Sequence, residues 1–329
     1  MKTLVTGATG FIGTHLVKAL VEKGRDVRCL VRKTSNTTYL KKLGVELVYG
    51  DLLDRESLKG IVKGVNIVYH LAGEVYSPKS SGYYKVNVNG TKNLLEMCLG
   101  EKIEKFVYFS SIAAVGPNPK QGILLNEKSP CKPITPYGKS KYLVEKLVSM
   151  FSKKYTLPAT IIRLPTVYGP GVSTSSRVFT MLELIKRGLF RIIGNGNNVI
   201  SLCYIDNLIN GILLIDRKTQ NTNYTIYFLA DQKPRTIREI AEKIAMELDT
   251  KVSRFYIPVW VANIAALVFP AFKKWGNKFP TSLRDMIREI PNSWACDISK
   301  ARQELKYDPM VDFNEGIRRT VIWYKEKYG

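Results

Sequence analysis

The stretch TLVTGATGFIGTHLVKAL, residues 3–20, limits what this chain can fold into more than any other part of it. An apolar run stops at Gly7, an amphipathic pattern resumes after Gly13, and Gly10 lies midway. Gly7 permits a tight turn out of a strand, Gly10 lets backbone approach a pyrophosphate, and Gly13 lets the next helix pack close to that strand. The free N–H groups and dipole of such a helix start attract phosphate. Spaced glycines alone would be weak evidence, so the rhythm that follows matters. Short β-branched runs (KTLVTG, DVRCLV, VELVYG, VNIVYHLAG, KFVYFSS, PATIIRL) alternate with helical patterns such as THLVKALVEKG. Continuous apolar runs suit strands covered on both faces of a parallel sheet. The pattern predicts an α/β fold: a doubly wound parallel sheet of the Rossmann type, forming a dinucleotide-binding domain over residues 1–170.

After VYGPGVSTSS the rhythm changes. A lone strand in NYTIYFLA, a helix in TIREIAEKIAMEL and an apolar segment at 257–272 predict a smaller, mostly helical substrate-binding domain over 171–329, with 199–216 returning to the sheet.

The 329 residues include 50 basic and 28 acidic side chains, a net charge of +22. The cations are spread along the chain without an Arg-rich arm, so they read as a solvated surface; a phosphate-bearing ligand accounts for some of them and no nucleic-acid partner is expected. Cys29, Cys98, Cys131, Cys203 and Cys296 are scattered and odd in number, with only His15 and His70 as histidines. Free thiols are expected, with neither a disulfide framework nor a metal site. The first strand leaves no room for a signal peptide, and 257–272, which contains Pro258 and Pro270, is shorter than the ~20 residues of a bilayer span. A cytoplasmic protein without a transmembrane segment is expected. The 257–272 segment, followed by Lys273 and Lys274, reads as a core helix, a pocket lid or a peripheral membrane contact.

TPYGKSKYLVEKLV sets Tyr137 and Lys141 four apart in a helical pattern, hence on one face. A free phenol titrates near ~10, and a neighbouring ammonium favours its ionised form, which fits Tyr137 as an acid/base toward a carbonyl or alcohol. Ser111 ends KFVYFSS at the carboxyl edge where such sheets place ligands, and its hydroxyl can donate to a substrate oxygen; Ser110 is the competing choice. In DVRCLVRKTSN, where an acid gripping the ribose of NAD would stand, Arg32 and Lys33 are found instead. Two cations there suit the 2′-phosphate of NADP and disfavour the bare hydroxyl of NAD, which stays possible.

TGATGFIG, GDLLD, HLAG, VNVNGT, SSIAAVG, YGKSK, RLPTVYGPG, YIDN and the C-terminal WACDISKARQELKYDP occur in the order found in a known family. The chain resembles the extended short-chain dehydrogenases/reductases, the NAD-dependent epimerase/dehydratase superfamily. That resemblance assigns Ser111, Tyr137 and Lys141 as the catalytic triad, with Asn87 supporting it. It also implies cofactor contacts from Thr9, Phe11 and Ile12 of the turn, Asp51 and Leu52, Leu71, Ala72 and Gly73, and Pro165 and Val167. The galactose-epimerase type carries an Asn where Thr166 stands and an Arg where Val199 stands, both toward the substrate diphosphate. SLCYIDN and the apolar 257–272 segment look more like the dihydroflavonol reductase and 3β-hydroxysteroid dehydrogenase branch, and a hopanoid-associated epimerase-like group lies between the two. The resemblance thus implies an NAD(P)-dependent oxidoreductase acting on a ketone or secondary alcohol. The alternatives are an NAD-dependent sugar-nucleotide epimerase or dehydratase and, in another class, a non-catalytic NAD(P)-sensing or RNA-binding protein. A homodimer through NVNGTKNLLEMC and YGKSKYLVEKLV is also implied.

Overall fold

The computed structural model describes residues 1–77, 79–120, 122–218, 224–253, 255–268 and 289–329. Strands form where the apolar runs place them: β1 (Lys2–Thr6), β2 (Asp26–Val31), β3 (Glu46–Tyr49), β4 (Ile67–His70), β5 (Lys105–Ser111) and β6 (Ala159–Leu164). Between them run α1 (Phe11–Glu22), α2 (Thr38–Lys42), α3 (Ser80–Tyr83), α4 (Gly90–Cys98) and α5 (Pro136–Tyr155). The rest comprises β7 (Thr166–Tyr168), α6 (Arg177–Lys186), β8 (Ile192–Ile193), β9 (Val199–Ile200), β10 (Leu202–Tyr204), α7 (Ile205–Arg217), β11 (Tyr224–Phe228), β12 (Arg235–Thr236), α8 (Ile237–Glu247), β13 (Tyr256–Ile257) and α9 (Val259–Val268). Helices Ser299–Leu305 and Phe313–Tyr328 follow.

Seven strands form one sheet in the order β11-β6-β5-β4-β1-β2-β3, every neighbouring pair parallel. The chain winds outward from β1 to β3, then crosses back to β4. Between β1 and β4 the winding reverses, and that switch point opens a crevice at the carboxyl ends of the strands. Leu16, Val17 and Leu20 of α1 share a core with Ile205, Leu208 and Ile212 of α7 on one face. Leu94 and Leu95 of α4 and Val144, Val148 and Phe151 of α5 pack on the other.

One expected element lies elsewhere. NYTIYFLA is not a lone strand of a separate region: β11 extends the main sheet, pairing with β6 from Tyr224↔Ala159 to Phe228↔Arg163. Its partner is about sixty residues upstream, too distant for local pattern to reveal, and burial of Tyr227 and Phe228 holds it there. Of the apolar segment at 257–272, residues 269–272 lie outside the described residues, as do Lys273 and Lys274.

His70 ties the sheet centre to its helices. Its Nδ1 is 2.7 Å from Thr6 Oγ1 and its Nε2 is 2.8 Å from Thr91 Oγ1, joining β4 to β1 and α4. Complete burial lowers its pKa from 6.5 to about 3. The unfolded chain therefore takes up a proton on this ring near pH 6.5, whereas the native state does so only near pH 3. Native stability falls as pH drops below 6.5, by up to about 1.4 kcal/mol per pH unit from this group. This contribution is the His70-dependent part of the wild type's pH dependence in urea unfolding between about pH 7 and about pH 5. A His70→Gln variant should lose it, whatever its absolute stability.

Candidate active site

The glycine turn is built as backbone against backbone. Gly7 has φ +71°, a left-handed conformation costly for other residues. A Cβ added to Gly13 would lie 2.1 Å from the Gly7 carbonyl oxygen, so α1 can start this close to β1 only with glycine there. Gly10 meets little by comparison; a Cβ on it would lie 3.2 Å from the Gly7 carbonyl oxygen. It is exposed, as is Thr9, and it caps α1 without any side-chain hydrogen bond and with no acidic residue in the first turn. The half-buried Phe11 and Ile12 open the helix. An uncapped, acid-free helix start fits a phosphate.

Thr6 pairs with Leu30, so Gly7 and Arg32 leave the same edge of the sheet. Arg32 and Lys33 are exposed there, and neither has an ion-pair partner among the described residues. Asp26, the acid of this stretch, lies at the other end of β2, 3.6 Å from Lys2. Next along the edge, Asp51 Oδ1 accepts the Leu53 amide and Leu52 is buried against Gly90. Leu71, Ala72 and Gly73 follow β4, with the Ala72 amide donating to Thr6 Oγ1 at 3.2 Å. Pro165 and Val167 flank the step from β6 to β7, the former buried and the latter half-buried.

α5 carries the candidate reacting groups. Thr135 Oγ1 accepts the Gly138 amide as its N-cap and Pro136 opens its first turn. Gly138 is the closest approach: a Cβ there would lie 2.3 Å from the Ala113 carbonyl oxygen, in the turn directly after Ser111. This contact sets the Tyr137 phenol on the side of α5 toward Ser111, whose hydroxyl favours its ionised form and whose Oγ also accepts the Ala113 amide at 3.2 Å. Ser110 is occupied elsewhere, donating to Glu145 Oε1 at 2.6 Å. Lys141 is buried, and its ammonium donates to the Phe109 carbonyl at 2.8 Å and lies 4.9 Å from the centre of the Tyr108 ring. Asn87 stands in a π-helical turn, Tyr84–Asn89, with its amide bonded to the Glu74 backbone and to Ser140 Oγ at 2.9 Å. A Cβ on Gly73 would touch both Asn87 Oδ1 at 3.0 Å and Lys141 Nζ at 3.6 Å, so these three adjoin.

The electrostatics differ from what the Tyr–Lys spacing predicts. Burial pushes the Tyr137 phenol up to about 12, and the hydroxyl that pulls it back is that of Ser111. Burial likewise lowers Lys141 to about 8, opposed by Glu145. The lysine ammonium is directed at a carbonyl and a ring face, which is why its nearness in sequence does not make it the phenol's main partner. The Tyr83 ring stands edge-on to Tyr137 with centroids 5.9 Å apart, while Tyr76 and the Arg177 guanidinium interact with it electrostatically. Arg177 forms an ion pair with the buried Glu289. None of these neighbours carried a signal in sequence, since each reaches the site from a different loop or helix.

Residues 3–230 match the NAD dependent epimerase/dehydratase family. The chain belongs to that family. As a member it is an NAD(P)-dependent enzyme of the extended short-chain dehydrogenase/reductase superfamily, with the parallel dinucleotide-binding sheet described above. It is 32% identical to an uncharacterized protein of Sinorhizobium fredii, over 97% of this chain and 94% of the other. It is 27% identical to a 2-alkyl-3-oxoalkanoate reductase of Stenotrophomonas maltophilia, over 97% and 98%. Among solved structures, the UDP-glucose 4-epimerase of Thermus thermophilus in complex with NAD superposes with a TM-score of 0.80 at 25% identity, covering 99% of each chain.

In this member of the epimerase/dehydratase family a buried ion pair fixes the helix that bears the candidate reacting groups. Arg163 Nη2 donates to Glu145 Oε2 at 2.8 Å and its Nε to Oε1 at 3.1 Å, with both side chains under 5% exposed. Arg163 also reaches the Glu127 carbonyl and Cys131 Sγ. An arginine within the apolar strand PATIIRL was the sequence signal for such a partner. Glu145→Ala strands a buried guanidinium and should cost about 3–5 kcal/mol, read as a shift in the denaturant midpoint at unchanged slope. Ser110→Ala, which removes one hydrogen bond, should cost about 1 kcal/mol.

Proposed function

We propose that this enzyme transfers hydride between NADP(H) and a ketone or secondary alcohol, with Tyr137 as the acid/base. The observation that carries the reading is the setting of Tyr137 beside the Ser111 hydroxyl and near the buried Lys141, at the carboxyl edge of the sheet next to an uncapped helix start. The turn from Gly7 to Gly13 would hold the pyrophosphate, Arg32 and Lys33 the 2′-phosphate, Asp51 and Leu52 the adenine, and Leu71 to Gly73 with Pro165 and Val167 the remainder. Bound there, the dinucleotide supplies a hydride donor or acceptor.

The chain's own groups then manage one proton. In the reducing direction Ser111 donates a hydrogen bond to the substrate oxygen while Tyr137 gives up its proton to it. The phenolate left behind is stabilised by the nearby ammonium of Lys141 and the guanidinium of Arg177. Asn87 holds the Glu74 backbone and Ser140, and so keeps α5 in place. Exposed Leu143 and Met150 on α5 suit pairing of two copies along this helix. Thr166 and Val199, standing where the galactose-epimerase type has Asn and Arg, favour an apolar substrate of the kind taken in the dihydroflavonol reductase branch. The 2-alkyl-3-oxoalkanoate reductase among the relatives supports a carbonyl substrate. A sugar-nucleotide epimerase is the second reading, supported by the Thermus structure.

Tyr137→Phe should lower kcat by at least about 10²-fold while NADPH binding, followed by fluorescence titration, is retained; near-normal turnover would refute the assignment. Arg32→Asp should weaken NADPH binding by about 10–100-fold and strengthen NADH binding, and an unchanged preference would argue for NAD. Copurifying NAD that resists dialysis, with no net oxidation or reduction of added cofactor, would favour epimerisation.

A further inference from the structure

An exposed apolar patch lies outside the groups used by the proposed reaction. Parallel pairing sets Ile192 beside Tyr256 and Ile193 beside Ile257, so Arg191 comes alongside Phe255 and the turn bearing Leu189 lies just upstream. A Cβ on Gly194 would be 3.4 Å from Val259, which brings the same loop to the first turn of α9. On this surface Phe255 is 79% exposed, Trp260 66%, Leu189 60% and Ile264 52%. Trp260 and Ile264 are four apart and so share one face of α9, while Ala262 is buried with Ile193 and Ile257 packed against it.

Cations border the patch. Arg191 bonds through its guanidinium to the Gly188 and Phe190 carbonyls, and Arg238 lies 5.1 Å from the Tyr256 ring centre and donates to the Asn195 carbonyl at 2.9 Å. Neither arginine is in an ion pair among the described residues. Four large apolar side chains held in water in the segments around this small sheet are costly unless something covers them. Their make-up and the charge around them indicate what does.

We propose that this patch docks on the surface of an anionic lipid bilayer. Phe255, Trp260, Leu189 and Ile264 enter the boundary between headgroups and acyl chains, and Arg191 and Arg238 meet lipid phosphates. Tryptophan and phenylalanine favour that boundary, and a protein of net charge +22 is drawn to a negative surface. The contact is peripheral: α9, at ten residues, reaches about 15 Å, half of a hydrocarbon core. No helix among the described residues is long and apolar enough to cross a membrane. The docking is independent of whether the substrate is a ketone or a sugar nucleotide.

Flotation of the full chain with vesicles tests it. Binding is expected to phosphatidylcholine vesicles containing phosphatidylglycerol, to fall as salt is raised, and to be much weaker with phosphatidylcholine alone. Phe255→Ser combined with Trp260→Ser should reduce binding by at least about 10-fold with thermal unfolding unchanged, because both side chains are exposed. Arg191→Glu combined with Arg238→Glu should reduce binding to the anionic vesicles only. Absence of flotation with either vesicle, or wild-type binding by both double variants, would overturn the proposal. So would dimerisation in light scattering that the Phe255/Trp260 variant abolishes while vesicles fail to bind, since the patch would then belong to a second copy.

Discussion

The buried Glu145–Arg163 pair holds together the three elements on which the candidate chemistry depends. Glu145 stands one turn beyond Lys141 on α5, Arg163 is on β6, and Ser110 of β5 donates to the same carboxylate. A carboxylate and a guanidinium without water around them are tolerable only in good geometry with their remaining hydrogen-bonding positions filled. Here Ser110, Cys131 and the Glu127 carbonyl fill them. The need to satisfy those charges fixes the rotation of α5 over β5, and with it the side of the helix that faces Ser111. Gly138 fixes the distance: without a Cβ the helix start can lie against Ala113, in the turn that follows Ser111.

A second constraint acts at the centre of the sheet. The contact between Gly7 and Gly13 brings the start of α1 to the carboxyl edge, where its unpartnered amides face the switch-point crevice. Beneath it, His70 bridges two threonines in full burial, so its ring stays uncharged across the physiological range. The cations that matter for a phosphorylated ligand, Arg32 and Lys33, lie at the rim in solvent. That division is physically sensible, because a buried unpaired cation would cost far more than a solvated one.

Much of this architecture was legible in the chain. Six of the seven strands of the main sheet lie in the apolar runs, since a strand covered on both faces must be apolar throughout, and the glycine spacing states how closely two backbones approach. Tyr137 and Lys141 were legible as neighbours on a helix. What the lysine does there was not: its direction depends on the Phe109 carbonyl and the Tyr108 ring, which are over thirty residues away in sequence.

The sequence by itself determined the strand–turn–helix that opens the chain, the parallel sheet and the absence of an acid after β2, because each is a local pattern of side-chain type and spacing. Only the tertiary structure decided that β11 joins the sheet, that Ser110 belongs to an ion pair while Ser111 faces the phenol, and that Tyr76, Tyr83 and Arg177 surround Tyr137. Those outcomes rest on contacts between distant segments, selected by burial and by the satisfaction of buried polar groups, and such contacts leave no periodic trace in the chain.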